Sequence, residues 1–320
     1  MLPAATREKV IALLKQYKHV FAWEPADMVG VDRNVIEHNL NVKPGSSTIK
    51  QKKRARQMPF GLKNAGATYQ RLVDQLFRNQ IGRNIEVYVD DMVIKSLEET
   101  ALITDIEETL KTLEQAKMIL NTAKCVFGVE EGHFLGYYVT NQGILPNPAK
   151  VQDAFETRSP VTLKEMQSLN GKLTALGRFI AKSAEKALPL FNTLKGEVNK
   201  DGFKWTTAAD EAWKNLKHAL GNLPTLSSPI PGEILSIYLS ASHEAVSAVL
   251  VVERNNTQLP VYFISRVLQG PEVNYLMLEK LVLALVHAAR RLRRYFQAHH
   301  VEVLTSQPLK QILLKPENLG

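Results

Sequence analysis

Asp90 and Asp91 are adjacent carboxylates between two short apolar runs, Ile85-Glu86-Val87-Tyr88-Val89 and Met92-Val93-Ile94. Ile85, Val87 and Val89 alternate with Glu86 and Tyr88, the period of a strand. The polar pair between the runs predicts a tight hairpin turn. A turn that displays two carboxylates can hold divalent cations, because paired hard oxygen donors suit Mg2+ or Mn2+. Two-metal phosphoryl transfer uses such carboxylates to clamp the attacking and leaving oxygens. The plain alternative is that both residues only form the turn, a common role for Asp.

The elements that would position this turn lie on either side of it. Upstream runs Met58-Pro59-Phe60-Gly61-Leu62-Lys63-Asn64-Ala65-Gly66-Ala67-Thr68-Tyr69-Gln70, followed by the amphipathic residues Leu72, Val73, Leu76 and Phe77. Downstream, Leu102, Ile106, Leu110 and Leu113 predict a helix reaching Leu120. Leu120-Asn121-Thr122-Ala123-Lys124-Cys125 and Phe134-Leu135-Gly136-Tyr137 follow. This ordered series resembles the palm of reverse transcriptases from gypsy-type long-terminal-repeat retrotransposons, and the resemblance runs through most of the chain.

The resemblance implies a partial Pol polyprotein whose family carries out RNA-directed DNA synthesis and removes the RNA strand. Its substrates would be RNA–DNA hybrid or duplex and deoxynucleoside triphosphates, with Mg2+ or Mn2+ as cofactor. Carried onto this sequence, Asp90 and Asp91 are the catalytic metal ligands. Phe60 and Gly61 approach the incoming nucleotide, and Gln70 lies near the template. Lys124 faces the triphosphate, where a cation would offset developing charge. Gly136 belongs to the hairpin that supports the primer end. The competing plain readings are a surface lysine for Lys124 and ordinary strand-turn chemistry around Gly136.

The family's fingers and its first metal-binding Asp are absent. Arg56 is followed by Gln57 and then Met58, and the only aspartates before Asp74 are Asp27 and Asp32, neither in an apolar strand. Two carboxylates do not replace three, so little or no polymerase activity is expected. Lys50, Lys52, Lys53, Arg54 and Arg56 form a basic cluster just before the gap, readable as a solvated linker or as a phosphate contact.

The remaining chain predicts three further parts. Near the N-terminus Val10, Ile11, Leu13, Leu14 and Tyr17 give a helical face that Phe21-Ala22-Trp23 continues, with Thr6 as a possible cap. Cys125–Val129 and His133–Val139 predict strands joined at Glu130-Glu131-Gly132. Asn147-Pro148 opens about eighty helical residues with an apolar stripe at Leu163, Met166, Leu169, Leu173 and Leu176, and with Trp205 and Trp213 later. By resemblance this is the thumb and connection, and its plain reading is a helical packing module.

Strands at Ile234–Leu239, Ala245–Val252 and Pro260–Ser265 come next, the last two joined by a turn at Arg254-Asn255-Asn256-Thr257. A helix near Asn274–Phe296 with Leu278, Leu281, Leu285 and Ala288 on one side, a strand at Val301–Leu304 and a helix at Pro308–Leu314 complete the pattern. Their order resembles an RNase H-like domain. Ser240 and Ser306 stand where that family has aspartates, and serine is a poor ligand for a hard cation. Glu279 matches the family's helix glutamate, and its plain alternative is a solvated charge. The chain stops at Gly320, before the remaining strand, helix and last acidic residue of that domain, so the RNase H-like part is expected to be truncated.

The resulting expectation is an α/β (α+β) multidomain chain. Residues 1–57 precede the polymerase, 58–146 form a partial palm, 147–228 a helical thumb and connection, and 229–320 a truncated RNase H-like mixed sheet. The rival reading is a non-catalytic nucleic-acid-binding remnant. Composition is compatible with both. Forty Lys and Arg against 32 Asp and Glu give a net charge of +8, which favours a polyanionic partner. Cys125 is the only cysteine, so no internal disulfide forms. No 18-residue apolar run or signal-peptide pattern is present, which suggests a soluble intracellular chain.

Overall fold

A computed structural model of the chain describes residues 2–24, 27, 45, 64–96, 98–196, 203–305 and 307–310. The chain divides into two compact units, Met1–Glu130 and Glu131–Gly320, and its architecture is mixed α/β.

In the first unit, α1 (Ala4–Gln16) buries Val10 and Leu13. Thr6 lies inside this helix, and Pro3 occupies the N-cap position. The expected continuation through Phe21 does not occur. A short 3₁₀ turn at Lys18–Val20 leads into β1 (Phe21–Ala22), which pairs in parallel with β4 (Leu120–Asn121). Tertiary pairing of these apolar residues overrides the helical period, and Trp23 is left exposed. α2 (Ala65–Leu76) carries Leu72 and Val73 into the core, and β2 (Ile85–Tyr88) and β3 (Asp91–Ile94) form the expected antiparallel hairpin.

α3 (Glu99–Gln115) buries Ile106, Leu110 and Leu113. It stops short of the expected Leu120 because Lys117 takes a positive φ of 52°. Met118 N then donates to Leu113 O at 2.9 Å, satisfying a carbonyl that the last turn leaves open. Leu72, Val73, Phe77, Ile85, Ile106, Leu110, Leu113 and Met118 make one core with the α1 residues, so hairpin and helices share a single apolar interior.

The second unit opens with β5 (Gly132–Phe134), β6 (Tyr137–Thr140) and β7 (Gly143–Pro146), a three-stranded antiparallel meander. The strand expected at Cys125–Val129 is not formed. Phe127 instead packs edge-on against Phe21, with ring centroids 6.2 Å apart. The turn lies at Leu135-Gly136, not at Glu130–Gly132. Leu135 and Gly136 have φ of 52° and 78°, and two successive positive φ values suit the twist of a two-residue hairpin.

Four helices follow. α4 (Pro148–Glu156) is capped by Asn147, whose side chain accepts from Ala149 N at 2.9 Å. α5 (Leu163–Leu176) is capped by Thr162, and α7 (Thr207–Leu220) by Thr206. α6 (Ser183–Gly196) lies between the last two. Met166, Leu169, Leu173 and Leu176 are buried with Leu190, Trp213 and Leu216. Leu163, expected in the same stripe, is exposed at the first turn.

The last part is a four-stranded sheet of order β10-β9-β8-β11. β8 (Leu235–Ala241), β9 (Ala245–Arg254) and β10 (Thr257–Val267) are antiparallel neighbours, and β11 (Val301–Leu304) runs parallel to β8. The β9–β10 turn falls at Asn255-Asn256, with φ of 51° and 58°, values that Asn tolerates. The expected single helix is two, α8 (Met277–Arg291) and α9 (Arg293–Ala298), divided at the buried Leu292. Leu281, Ala284 and Ala288 face the sheet, whereas Leu278 is only half-buried. Of the helix expected at Pro308–Leu314, residues beyond Lys310 lie outside the described ones. Among the described residues no helix is long and apolar enough to cross a membrane.

Candidate active site: the Asp90–Asp91 hairpin

Tyr88 pairs with Asp91, Val87 with Met92, and Ile85 with Ile94, leaving Val89-Asp90 as the two-residue turn. Ile85 is fully buried, whereas Asp90 and Asp91 are exposed. The apolar end of the hairpin is thus anchored in the core, and its tip presents both carboxylates to solvent. Val89 has a φ of 52°, an outlier for a β-branched residue.

Gln70 holds that outlier in place. Its Oε1 accepts from Val89 N at 2.6 Å, and its Nε2 donates to Asp74 Oδ1 at 2.8 Å, one turn along α2. The side-chain amide is therefore engaged by the hairpin. In this structure Gln70 thus ties the backbone of the carboxylate turn to α2. Tyr69, its neighbour on α2, is partly buried. Desolvation, and secondarily the charge of Asp90, push its hydroxyl above the usual phenol range. Sequence reading missed Tyr69 and Asp74 as neighbours of the site. The i,i+4 spacing of Gln70 and Asp74 was the available signal.

Lys124 is exposed in the 3₁₀ turn Thr122–Lys124, where Asn121 Oδ1 accepts from Ala123 N at 3.0 Å. Among the described residues it forms no hydrogen bond or ion pair with Asp90 or Asp91. Phe60, Gly61, Ser306 and the cluster Lys50–Arg56 lie outside the described residues. Asp27 accepts from Trp23 N and Glu24 N at 2.8 and 2.9 Å. These two backbone donors hold its carboxyl below the usual range, so it serves a local turn.

In the second unit Gly136 forms the Leu135-Gly136 turn, where a Cβ would lie 2.6 Å from Lys150 Nζ. Ser240 sits on β8 opposite Ser247 of β9. Glu279 is exposed at the start of α8, and its Oε2 accepts from Leu276 N at 2.8 Å. That contact satisfies an open donor of the first helical turn. A groove of about 460 Å³ beside Ser240 is lined by Tyr238, Met277, Leu281, Leu304, Thr305 and Gln307 among others, with no carboxylate among the described residues of its wall.

The donor set at Asp90 and Asp91 is hard oxygen, the chemistry Mg2+ and Mn2+ prefer. Among the described residues no third His, Cys, Asp or Glu joins them in a cluster able to hold a metal ion.

Comparisons with known proteins identify two domains. The reverse transcriptase (RNA-dependent DNA polymerase) family profile matches residues 15–139. The profile of the RNase H-like domain found in reverse transcriptase matches residues 205–303. The chain is 31% identical over 277 residues to the retrovirus-related Pol polyprotein from transposon opus of Drosophila melanogaster, covering 83% of this chain and 28% of that protein. It is 33% identical over 255 residues to the Pol polyprotein from transposon 297 of the same species, covering 79% and 24%. The transposon Tf2-3 polyprotein of Schizosaccharomyces pombe is 28% identical over 263 residues, covering 82% and 19%.

The chain thus spans 19–28% of the length of these relatives. Among solved structures it is similar to the foamy viral protease-reverse transcriptase in complex with RNA/DNA hybrid, with a TM-score of 0.68 at 24% identity over 82% of this chain and 36% of that one. At that identity the likeness establishes the fold. With both domains matched in this order, the chain belongs to the reverse transcriptase and RNase H-like family of gypsy-like retrotransposon Pol polyproteins, of which it spans a part.

Proposed function

We propose that this chain is a nucleic-acid-binding Pol segment whose polymerase and RNase H chemistries are both impaired. The observation that carries this reading is the hairpin itself. It presents Asp90 and Asp91 side by side at an exposed hairpin tip, and no third carboxylate joins them among the described residues. Asp90 and Asp91 would hold Mg2+ or Mn2+ weakly, and the bound cation would offset charge developing on a transferred phosphoryl group. The chain's own contribution is to display the two carboxylates rigidly, through Gln70, on a hairpin anchored at Ile85. Its partner is RNA–DNA hybrid or duplex, the ligand class named for the foamy viral structures of the same fold.

A non-catalytic nucleic-acid-binding remnant is the second reading, and one observation favours it for the RNase H-like part. Glu279 is engaged with its own helix start at Leu276, and Ser240 would bring a hydroxyl where the resemblance implies a carboxylate. Primer extension on an RNA template with Mg2+ or Mn2+, beside Asp90→Asn and Asp91→Asn, separates the two. Weak synthesis abolished by either substitution supports a residual polymerase. Hybrid binding without synthesis supports the remnant. Efficient synthesis by the unmodified chain overturns the impairment, and absence of hybrid binding at low salt overturns both readings.

A further inference from the structure

The Gly136 hairpin, the helical part and the RNase H-like sheet all lie in the second compact unit, and two independent links run from the hairpin to the sheet. The first is made of backbone. Ile144 N donates to Leu226 O at 2.8 Å and Leu226 N to Ile144 O at 2.9 Å, and Ser227 N donates to Pro260 O of β10 at 2.8 Å. Gly143 lets these segments approach, since a Cβ there would lie 2.1 Å from Leu226 O.

The second link is one side chain. Arg178 occupies the 3₁₀ turn Gly177–Phe179 that follows α5. Its Cζ lies 4.7 Å from the ring centroid of Tyr137, on β6, and 4.5 Å from that of Tyr262, on β10. Phe179 adds a third ring at 5.9 Å, and it also packs against Tyr137 with centroids 5.9 Å apart. Among the described residues the guanidinium makes no hydrogen bond or ion pair, and its Nε is buried without a partner. A planar cation between two tyrosine faces is held by the ring quadrupoles, and partial desolvation strengthens that attraction. Lysine lacks the planar face such a sandwich needs.

We propose that Arg178 is a positioning residue that clasps the Gly136 hairpin to the RNase H-like sheet, so that the two open and move as one body. The mechanical inference stands on these contacts alone. Its functional meaning, that the segment supporting the primer end is referenced to the RNase H-like domain, rests on the proposed polymerase reading.

Hydrogen exchange on the full chain tests the clasp without any activity readout. Arg178→Ala should lower protection of residues 132–146 by about tenfold, the scale of two partly desolvated ring contacts. Strands β8 and β9 should change by less than about twofold. In the unmodified chain Val252→Ala, which thins the sheet core, should lower protection of sheet and hairpin together. In the Arg178→Ala background the accompanying loss in the hairpin should shrink, because only the backbone link through Leu226 and Ser227 then remains. Arg178→Lys should leave the hairpin as exposed as Arg178→Ala does. If Arg178→Ala does not fold, Tyr262→Leu removes one face of the sandwich and should give a smaller loss in the hairpin, beside a local loss in β10 where Tyr262 packs on the sheet core. Equal losses in hairpin and sheet, no loss in the hairpin, or full restoration by lysine would overturn the clasp. Failure of primer extension with the clasp intact would count against the polymerase reading only.

Discussion

Val89 N donates to Gln70 Oε1 at 2.6 Å, joining the tip of the carboxylate hairpin to the middle of α2. The bond matters because Val89 holds a φ of 52°, which a β-branched residue adopts only where its surroundings enforce it. Gln70 is the enforcing contact, and the direction in which Asp90 and Asp91 project depends on it.

Gln70→Ala should destabilise the first unit by about 1 kcal/mol, the net value of one partly buried hydrogen bond. The Val89 amide should exchange faster than its strand neighbours. Only the first central residue of this turn has positive φ, a position that favours glycine. Val89→Gly should therefore stabilise by about 1 kcal/mol through relief of strain. Gln70→Ala should cost less in the Val89→Gly background, because the strain that Gln70 restrains is gone. Urea denaturation of the four variants measures this coupling, and strict additivity would refute it.

Gly143 and Gly171 should respond to alanine in opposite directions. Gly143 has a φ of 141° and faces Leu226 O at the position a Cβ would need. Gly143→Ala must then break the Ile144–Leu226 backbone pair or move it, at a cost of about 2 kcal/mol. Gly171 lies inside α5 with nothing within 4 Å of its Cβ position. Gly171→Ala should stabilise by about 0.5–1 kcal/mol through helix propensity. Thermal melts of the two variants check the contrast.

The parts of this structure that could be read from sequence are those where local chemistry and tertiary packing agree. The β2–β3 hairpin was legible because alternation and the polar pair point the same way. The Asn255-Asn256 turn was legible because Asn tolerates positive φ. The end of α3 was not, since Lys117 adopts a left-handed conformation without the glycine that usually signals it. The β5–β6 turn was misplaced because Glu130-Glu131-Gly132 has turn composition, whereas the pairing of Phe134 with Tyr137 sets the real register. At the candidate site, residue types were legible and their partners were not. Only folding shows that Gln70 turns its amide to Val89, or that Arg178 finds Tyr137 and Tyr262 across more than forty and eighty residues of sequence.

Glu233 should make stability depend on pH in the acid range. Its carboxylate accepts from Arg254 Nε and Nη2 at 2.7 and 2.8 Å and from Ile230 N at 2.7 Å. The Arg254 hydrogen bonds first, then the Ile230 amide, lower its pKa from 4.5 to about 2. A depressed carboxyl binds fewer protons when folded than when unfolded. Its contribution is thus complete above pH 4.5 and disappears as pH falls toward 2. Glu233→Gln should therefore be less stable than the unmodified chain near neutral pH, and the difference should shrink through that window. A difference that grows on acidification would reverse the assignment.

Nucleic-acid binding should follow charge rather than sequence. Forty Lys and Arg against 32 Asp and Glu leave a charge of +8, and contacts from these cations to phosphate release condensed counterions. Affinity for duplex or hybrid should thus fall steeply with salt, with a log–log slope of about −0.9 per phosphate neutralised on B-DNA. Lys52, Lys53 and Arg54 lie in the densest basic stretch of the sequence. Replacing all three with Gln removes up to three such contacts, so the slope should flatten by as much as about 2.7. The fold should be unchanged, as judged by the same thermal melt. Contacts to phosphate alone should keep affinity in the non-specific range of about 10⁻⁴–10⁻⁶ M near physiological salt. Fluorescence anisotropy with labelled hybrid across a salt series measures both quantities. Binding that does not change with salt would show that contacts other than phosphate pairing dominate. An unchanged slope in the triple variant would place the phosphate contacts elsewhere on the chain.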